Sequence, residues 1–395
     1  MKTALRKGKV ALLGNMNNIL FNLTRYLRDE GYDAHLFIFP SEPAHFHPQA
    51  DTFDAGYTEY VHRLTWGNPF DLMTTPVSTI KKDLDGFTRF IACGTGPAYL
   101  AKAGITVDLL APYGSDLYEL PFFKLVRPTK LLHYLIFTFY QKMGIREARN
   151  LTVADNADLF TRTLAKLRFK GKRLMSGLPF VYTQQYAPDK IKDNSANSQH
   201  YASFKKIRDA HDLVIIHNSR HCWKNEPDPI SLKDNDKLFR GLAIVLTRRP
   251  GVKIAIVTFE YGHDVEASKA LCRELGIEKH VFWFPLMPRK ELMLGMSLSD
   301  VVAGEFRNSW FTYGVVFEAM ALAKPVMHYR EDSLYKEMEL YPMIYAKETE
   351  DIVAALTAAI DDKTKLENIG KEAKDWYERN ITKQSLRDVA EILDR

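Results

Sequence analysis

Arg220 and Lys224 stand in the polar stretch Asn218-Ser219-Arg220-His221-Cys222-Trp223-Lys224, which directly follows the apolar run Leu213-Val214-Ile215-Ile216-His217. Arginine offers a rigid fork to two phosphate oxygens and lysine a mobile point charge. The pair, with Ser219 beside it, therefore suits a diphosphate that gains charge as a bond to it breaks. A second polar stretch, Gly304-Glu305-Phe306-Arg307-Asn308-Ser309-Trp310-Phe311-Thr312-Tyr313-Gly314, runs into a short helix pattern carrying Glu318, and Lys324-Pro325 then opens the apolar strand Val326-Met327. A carboxylate near a helix start can accept both hydroxyl hydrogen bonds of a ribose, while amides of the first turn, at Tyr313 and Gly314, can face a phosphate. Each stretch also has a plainer reading: a solvated cation pair in one case, an acid that caps its helix in the other.

Elements that would position these residues can be read on both sides of them. Val10–Leu13 reads as a buried strand, Gly14-Asn15-Met16-Asn17-Asn18 as its turn, Ile19–Glu30 as a helix stopped by Gly31, and Asp33–Phe39 as the next strand. This is the opening of a doubly wound sheet, whose ligands lie at the carboxyl ends of the strands, so Gly14, Asn15 and Asn17 are candidate ligand neighbours. It lacks G-x-G-x-x-G, which argues against a dinucleotide. Further on, Leu213–His217, Val252–Thr258, His280–Phe284, Asp300–Ala303 and Pro325–His328 read as strands alternating with helices at Asp234–Thr247, Val265–Leu275 and Pro288–Met296, a second parallel sheet. Between the two halves, residues 184–200 are dense in Asp, Asn, Ser, Gln and Lys and read as an exposed connection. The expected division is 1–203, 204–378 and a closing segment 379–395.

Phe317-Glu318-Ala319-Met320-Ala321 followed by Lys324-Pro325-Val326 resembles the donor-site segment of retaining GT-B glycosyltransferases, the superfamily of sucrose and glycogen synthases. The resemblance implies an α/β fold of two facing Rossmann-like, doubly wound domains with a cleft between them. It further implies an acceptor-side amino-terminal domain, a carboxyl-terminal domain that binds a nucleotide sugar, and a last helix packed back on the first domain. The family has a glutamate eight residues before the position of Glu318, and this chain has Trp310 there, which leaves Glu305 or Asn308 to take its place near the sugar. Pro112-Tyr113-Gly114-Ser115-Asp116 is similar to the family's His-Gly-Ser-Asp turn, with Tyr113 for the histidine; Gly114 and Ser115 would present amides to the sugar, and Asp116 would orient a hydroxyl or cap the next turn. Arg220 and Lys224 match the family's cation pair, and Phe284, Pro285 and Leu286 the turn whose main chain reads the base.

The 395 residues are 46% apolar, ample for two cores, and 54 Lys and Arg against 49 Asp and Glu leave a mild +5. That balance favours anionic ligands without marking a nucleic-acid binder. Cys93, Cys222 and Cys272 form neither a disulfide framework nor a zinc set, which suits a reducing cytoplasm. The basic stretch Met1–Lys9 precedes an apolar run too short for an export signal, and no run reaches the roughly 18 residues of a spanning helix. His45, His47 and His62 match no metal-ligand spacing and no Asp-x-Asp marks a divalent-ion site, so neither a metal nor another cofactor is expected.

Thr129–Gly144 is an apolar helix flanked by Lys124, Arg127, Lys130, Lys142, Arg146 and Arg149. It reads either as a buried helix with wet ends or as one that docks on the inner face of an anionic membrane. The expected activity is metal-independent, retaining transfer of a sugar from a nucleotide diphosphate to a carbohydrate or lipid-linked glycan, in polysaccharide or glycoconjugate assembly. A nucleotide-sugar epimerase and a non-catalytic subunit that binds a nucleotide sugar or a partner transferase are the alternatives.

Overall fold

The computed structural model describes residues 8–122, 126–152 and 158–395; Lys124 and most of the basic amino-terminal stretch lie outside them. The chain forms two compact units, Met1–Tyr182 together with Arg379–Arg395, and Thr183–Glu378.

The first unit holds the strands β1 (Lys9–Leu13), β2 (Asp33–Ile38), β3 (Val61–Arg63), β4 (Phe87–Ala92), β5 (Leu109–Leu110), β6 (Asn150–Thr152) and β7 (Lys172–Leu174) in the order β3-β2-β1-β4-β5-β6-β7, paired in parallel. Val10 to Leu13 are buried, as expected of a central parallel strand covered on both faces. One face packs on Tyr99, Tyr134 and Phe137, and the other on Leu20, Phe21, Leu23 and Leu27 of the helix Ile19–Asp29. Val389, Ile392 and Leu393 of the last helix join that second face, and Arg89 Nε donates to the Leu393 carbonyl at 2.9 Å.

The second unit holds β8 (Leu213–His217), β9 (Ile254–Phe259), β10 (Val281–Phe284), β11 (Val301–Ala303), β12 (Val326–His328) and β13 (Ile344–Tyr345), again parallel, in the order β10-β9-β8-β11-β12-β13. The strands expected from the sequence are all present within a few residues, whereas β3 and β13, three and two residues long, carry too short a pattern to be seen.

In each sheet the winding reverses between two neighbouring strands, β1 and β4 in the first and β8 and β11 in the second. At such a point the two carboxyl ends splay apart and leave a crevice for a ligand. The turn at Gly14–Asn18 ends β1, the loop at 218–224 ends β8 and the loop at 304–313 ends β11. The topology thus brings the two stretches of most chemical interest to one crevice of the second unit.

The division falls at 182/183, not near 203. Residues 184–200 are not a bare connection: they include the helix Pro188–Ser195 and belong to the second unit. Ser198 Oγ and the Gln199 amide donate to Glu291, and His200 packs edge-on against Phe284. Partners that take up a polar tract's hydrogen bonds let it order without an apolar core.

Candidate functional site

Glu318 is the fifth residue of the helix Gly314–Ala321, one turn further in than a helix-start acid, so the helix terminus does little for its charge. Two side chains do more. Asn218 Nδ2, at the end of β8, donates to Oε2 at 2.9 Å, and Arg289 Nε, from the start of the helix Arg289–Ser297, donates to Oε1 at 3.1 Å. These bonds fix the carboxylate at the carboxyl end of β8, and a carboxylate accepts hydrogen bonds only. Asn218 Oδ1 and Ser219 Oγ, just past the end of β8, are buried with no hydrogen-bond partner, two polar atoms whose demand a ligand would meet. Tyr313, which precedes the helix, makes no side-chain cap to it, and the amides of a helix's first turn point toward whatever lies before it.

The loop carrying Arg220 and Lys224 is held from outside. Buried Asp264 accepts the amides of Trp223, Lys224 and Asn225 at 2.7, 2.8 and 3.2 Å and Asn225 Nδ2 at 2.6 Å. Burial pushes its carboxyl up, but these bonds outweigh that and hold it below its ordinary range. Buried Asn235 accepts the Cys222 amide at 3.0 Å and donates to the Arg220 carbonyl at 3.1 Å and to His217 Nε2 at 2.7 Å. His217 Nδ1 therefore carries its proton and donates it to the Ala303 carbonyl at 3.0 Å, and burial lowers this imidazole to about 4. His221 is lowered to about 3, chiefly by burial, between the hydroxyls of Ser268 and Thr258. Both histidines are neutral scaffold. Arg220 and Lys224, by contrast, expose their side chains at the carboxyl end of β8.

Glu305 does not end its strand in solvent. It is buried, Lys233 Nζ lies 2.7 Å from Oε1, and Oε2 has no hydrogen-bond partner. Its amide donates to the Tyr313 hydroxyl at 2.8 Å, and that hydroxyl sits where any side chain at 304 would go: a Cβ on Gly304 would lie 2.1 Å away. Tyr313 thus fastens the end of β11 to the start of the next helix. Asn308 spends its Nδ2 on the carbonyls of Ile230 and Leu232, at 3.0 and 3.3 Å, securing the loop before Lys233. Trp310 is half-buried.

At the expected base turn, the Phe284 ring stacks on Phe204 at 4.4 Å and its carbonyl accepts the Glu260 amide at 2.8 Å, so both are used within the fold. Pro285 and Leu286 are exposed. Cys222, Glu226 and His263 bring three ligand-type atoms within 4.8 Å of one another. The imidazole, however, turns Nδ1 to the sulfur at 4.0 Å and Nε2 to Glu226 at 3.6 Å. A cation binds one ring nitrogen, so this arrangement is loose for a metal.

In the first unit, Gly14 adopts φ +89°, and a Cβ there would lie 2.6 Å from Cys93 Sγ. Asn15 is buried and braces its turn: Nδ2 donates to Asn18 Oδ1 and the Phe46 carbonyl, and Oδ1 accepts the Phe21 amide at 2.9 Å. Asn17 adopts left-handed φ +49°. Asp116 accepts the amides of Tyr113 and Gly114 at 3.0 Å each and of Gly94 at 2.9 Å, tying the loop after β5 to the turn after β4, and burial pushes it up to about 7. Ser115 opens a one-turn helix beside Asp116. Glu42 accepts the Asn15 amide on Oε1 at 2.6 Å, while Oε2 is buried without a hydrogen-bond partner.

Arg289, Asp264, Asn235, Lys233 and Glu42 are not evident from the sequence. Each acts on a partner far along the chain, and only Arg289, following Pro288 at a helix start after β10, has a local signal.

This fold is the GT-B fold. HepE from Anabaena in complex with UDP and glucose matches with a TM-score of 0.60 at 16% identity, over 98% of this chain and 99% of that one. Sucrose-phosphate synthase from Thermosynechococcus elongatus gives 0.57 at 13%, over 98% of each chain. UDP-GlcNAc 2-epimerase from Neisseria meningitidis, bound to UDP-GlcNAc, gives 0.57 at 12%, over 97% and 99%. No protein-family model and no curated protein matches the sequence significantly.

Proposed function

We propose that this protein transfers a sugar from a nucleotide diphosphate donor to a carbohydrate or lipid-linked glycan acceptor, with retention at the anomeric carbon and without a metal. The observation that carries the reading is the group at the switch point of the second sheet. There Glu318, supported by Asn218 and Arg289, offers acceptor positions suited to ribose hydroxyls, next to a loop that exposes Arg220 and Lys224. In transfer, the bond from the anomeric carbon to the diphosphate breaks as one to the acceptor oxygen forms, and the acceptor proton passes to the leaving phosphate. Arg220 and Lys224 neutralise the charge that develops on that phosphate, the work a divalent ion does elsewhere. Glu305, with its unused Oε2, is the group assigned to the sugar hydroxyls in place of the acid missing at Trp310.

HepE, whose structure holds UDP and glucose, supports this reading by its fold. The epimerase, somewhat less similar, favours a second one, in which the bound nucleotide sugar is rearranged without an acceptor. Thermal shift against a panel of nucleotide sugars identifies the donor, because a ligand at 100 times its dissociation constant adds about 2.7 kcal/mol to stability. With that donor, release of nucleoside diphosphate only when an acceptor is present establishes transfer. Conversion of the donor to an epimer without acceptor establishes the second reading, and stabilisation without turnover a binding subunit.

A further inference from the structure

The helix Leu131–Arg146 is seated on the first unit by one face alone. Tyr134, Phe137, Thr138, Gln141 and Ile145 are buried, and Gly144 meets the neighbouring helix so closely that a Cβ would lie 2.2 Å from the Pro97 carbonyl oxygen. The opposite face is mainly apolar and exposed: Leu131, Leu132, Leu135 and Phe139 are 37%, 59%, 45% and 61% exposed. At about 100° per residue these four positions fall within one arc of roughly 100°, and Lys142 lies within the same arc. A helix apolar on both faces has a low amphipathic signal in its sequence, which is why the sequence alone does not choose between a buried helix and a docked one. A solvated helix would carry polar residues on this outer face.

Charge defines the occupant. From Pro121 to Arg146 the sequence contains no Asp or Glu. Arg127, Lys130 and Lys142 are exposed near the ends of the apolar stripe, with the ammoniums of Lys130 and Lys142 over the rings of Phe70 and Phe122 at 4.6 and 5.6 Å. The nearest acid along the chain, Glu147, is taken by Arg146 and Lys170 at 2.9 and 3.0 Å. A second copy docking through the same face would bring these cations together on a two-fold interface. An anionic bilayer satisfies both features at once, accepting the leucines and phenylalanine below its headgroups and the cations among its phosphates.

We infer that the outer face of Leu131–Arg146 docks the protein on anionic lipid, a surface that stands independently of the sugar-transfer reading. The test is co-sedimentation of the full chain with phosphatidylcholine vesicles, with and without phosphatidylglycerol. The parent should partition onto the anionic vesicles and not the neutral ones. The variant L132E/F139E, altered only at exposed positions, should lose roughly tenfold or more of that partition while keeping its circular dichroism melt and its nucleotide thermal shift. K130Q/K142Q, which leaves the apolar stripe intact, should bind weakly and with less dependence on salt. No partition of the parent, or equal partition of L132E/F139E, overturns the inference. So does a lipid-free dimer that L132E/F139E dissociates, which would assign the face to a second copy.

Discussion

Arg289 and Glu318 form an ion pair in which Nε lies 3.1 Å from Oε1, with 11% and 9% of the two side chains exposed. A carboxylate so enclosed depends on its cation, because an uncompensated buried charge costs far more than a surface pair contributes. Arg289→Met should therefore lower stability by about 3 kcal/mol, and adding Glu318→Gln should restore part of the loss. Urea unfolding of the two single variants and the double variant measures the coupling, and strict additivity would remove the pair's significance.

On the nucleotide side, Glu318→Gln should weaken donor binding by about 1–3 kcal/mol through loss of charge-assisted hydrogen bonds. Calorimetry with the free nucleotide reads this directly. Unchanged affinity would take Glu318 out of the site.

Arg220 is exposed, so its removal tests chemistry rather than folding. Arg220→Ala should shift stability by no more than about 0.5 kcal/mol while turnover falls at least roughly tenfold, about 1.4 kcal/mol of barrier. Nucleoside affinity should fall less, because the charge that Arg220 meets grows as the bond breaks. Activity should persist in EDTA, and rescue of an EDTA-inactivated enzyme by Mg²⁺ would contradict the metal-free assignment.

Glu305 pairs with Lys233 at 2.7 Å and leaves Oε2 unused. Glu305→Gln should retain nucleotide affinity but reduce sugar transfer by at least roughly tenfold. Because the variant also unpairs Lys233, its melting temperature has to be measured alongside. A stability loss with transfer intact would make Glu305 a structural anchor only.

Glu42 sets a pH dependence. Burial raises its carboxyl from an ordinary 4.5 to about 8, partly opposed by the amide of Asn15. Between those two values the folded chain holds a proton that the unfolded chain has released, so stability falls as pH rises through this window. Glu42→Gln should flatten that fall and leave the protein more stable than its parent at pH values above it. Parallel melting curves from acid to mild alkali would show that the carboxylate is solvated.

The strands around β8 and β11 were legible because a central parallel strand is a continuous apolar run, and the ends of those runs located the loops with Arg220, Lys224 and Glu305. Their support was not legible. Asn218 meets Glu318 100 residues away, and Asp264 holds amides 39 to 41 residues back, relations that only the sheet order creates. Asn308 and Asn15 are polar residues in glycine-bearing loops, which mark a ligand or an internal brace equally well from sequence. The structure gives both bracing bonds. Residues 184–200 were misread because composition reveals missing apolar side chains but not the acceptor, Glu291, that replaces them.

The first unit is closed by residues 379–395, which are made after the whole of the second. On the ribosome, the sheet from β1 to β7 waits for the entire second unit to emerge before Val389, Ile392 and Leu393 cover one of its faces. Domains fold largely in order of synthesis, so here the unit begun first is the one finished last. A stalled or clipped chain would therefore leave a complete second unit beside a first unit with an open apolar face, the state in which such a chain is most exposed to aggregation and proteolysis.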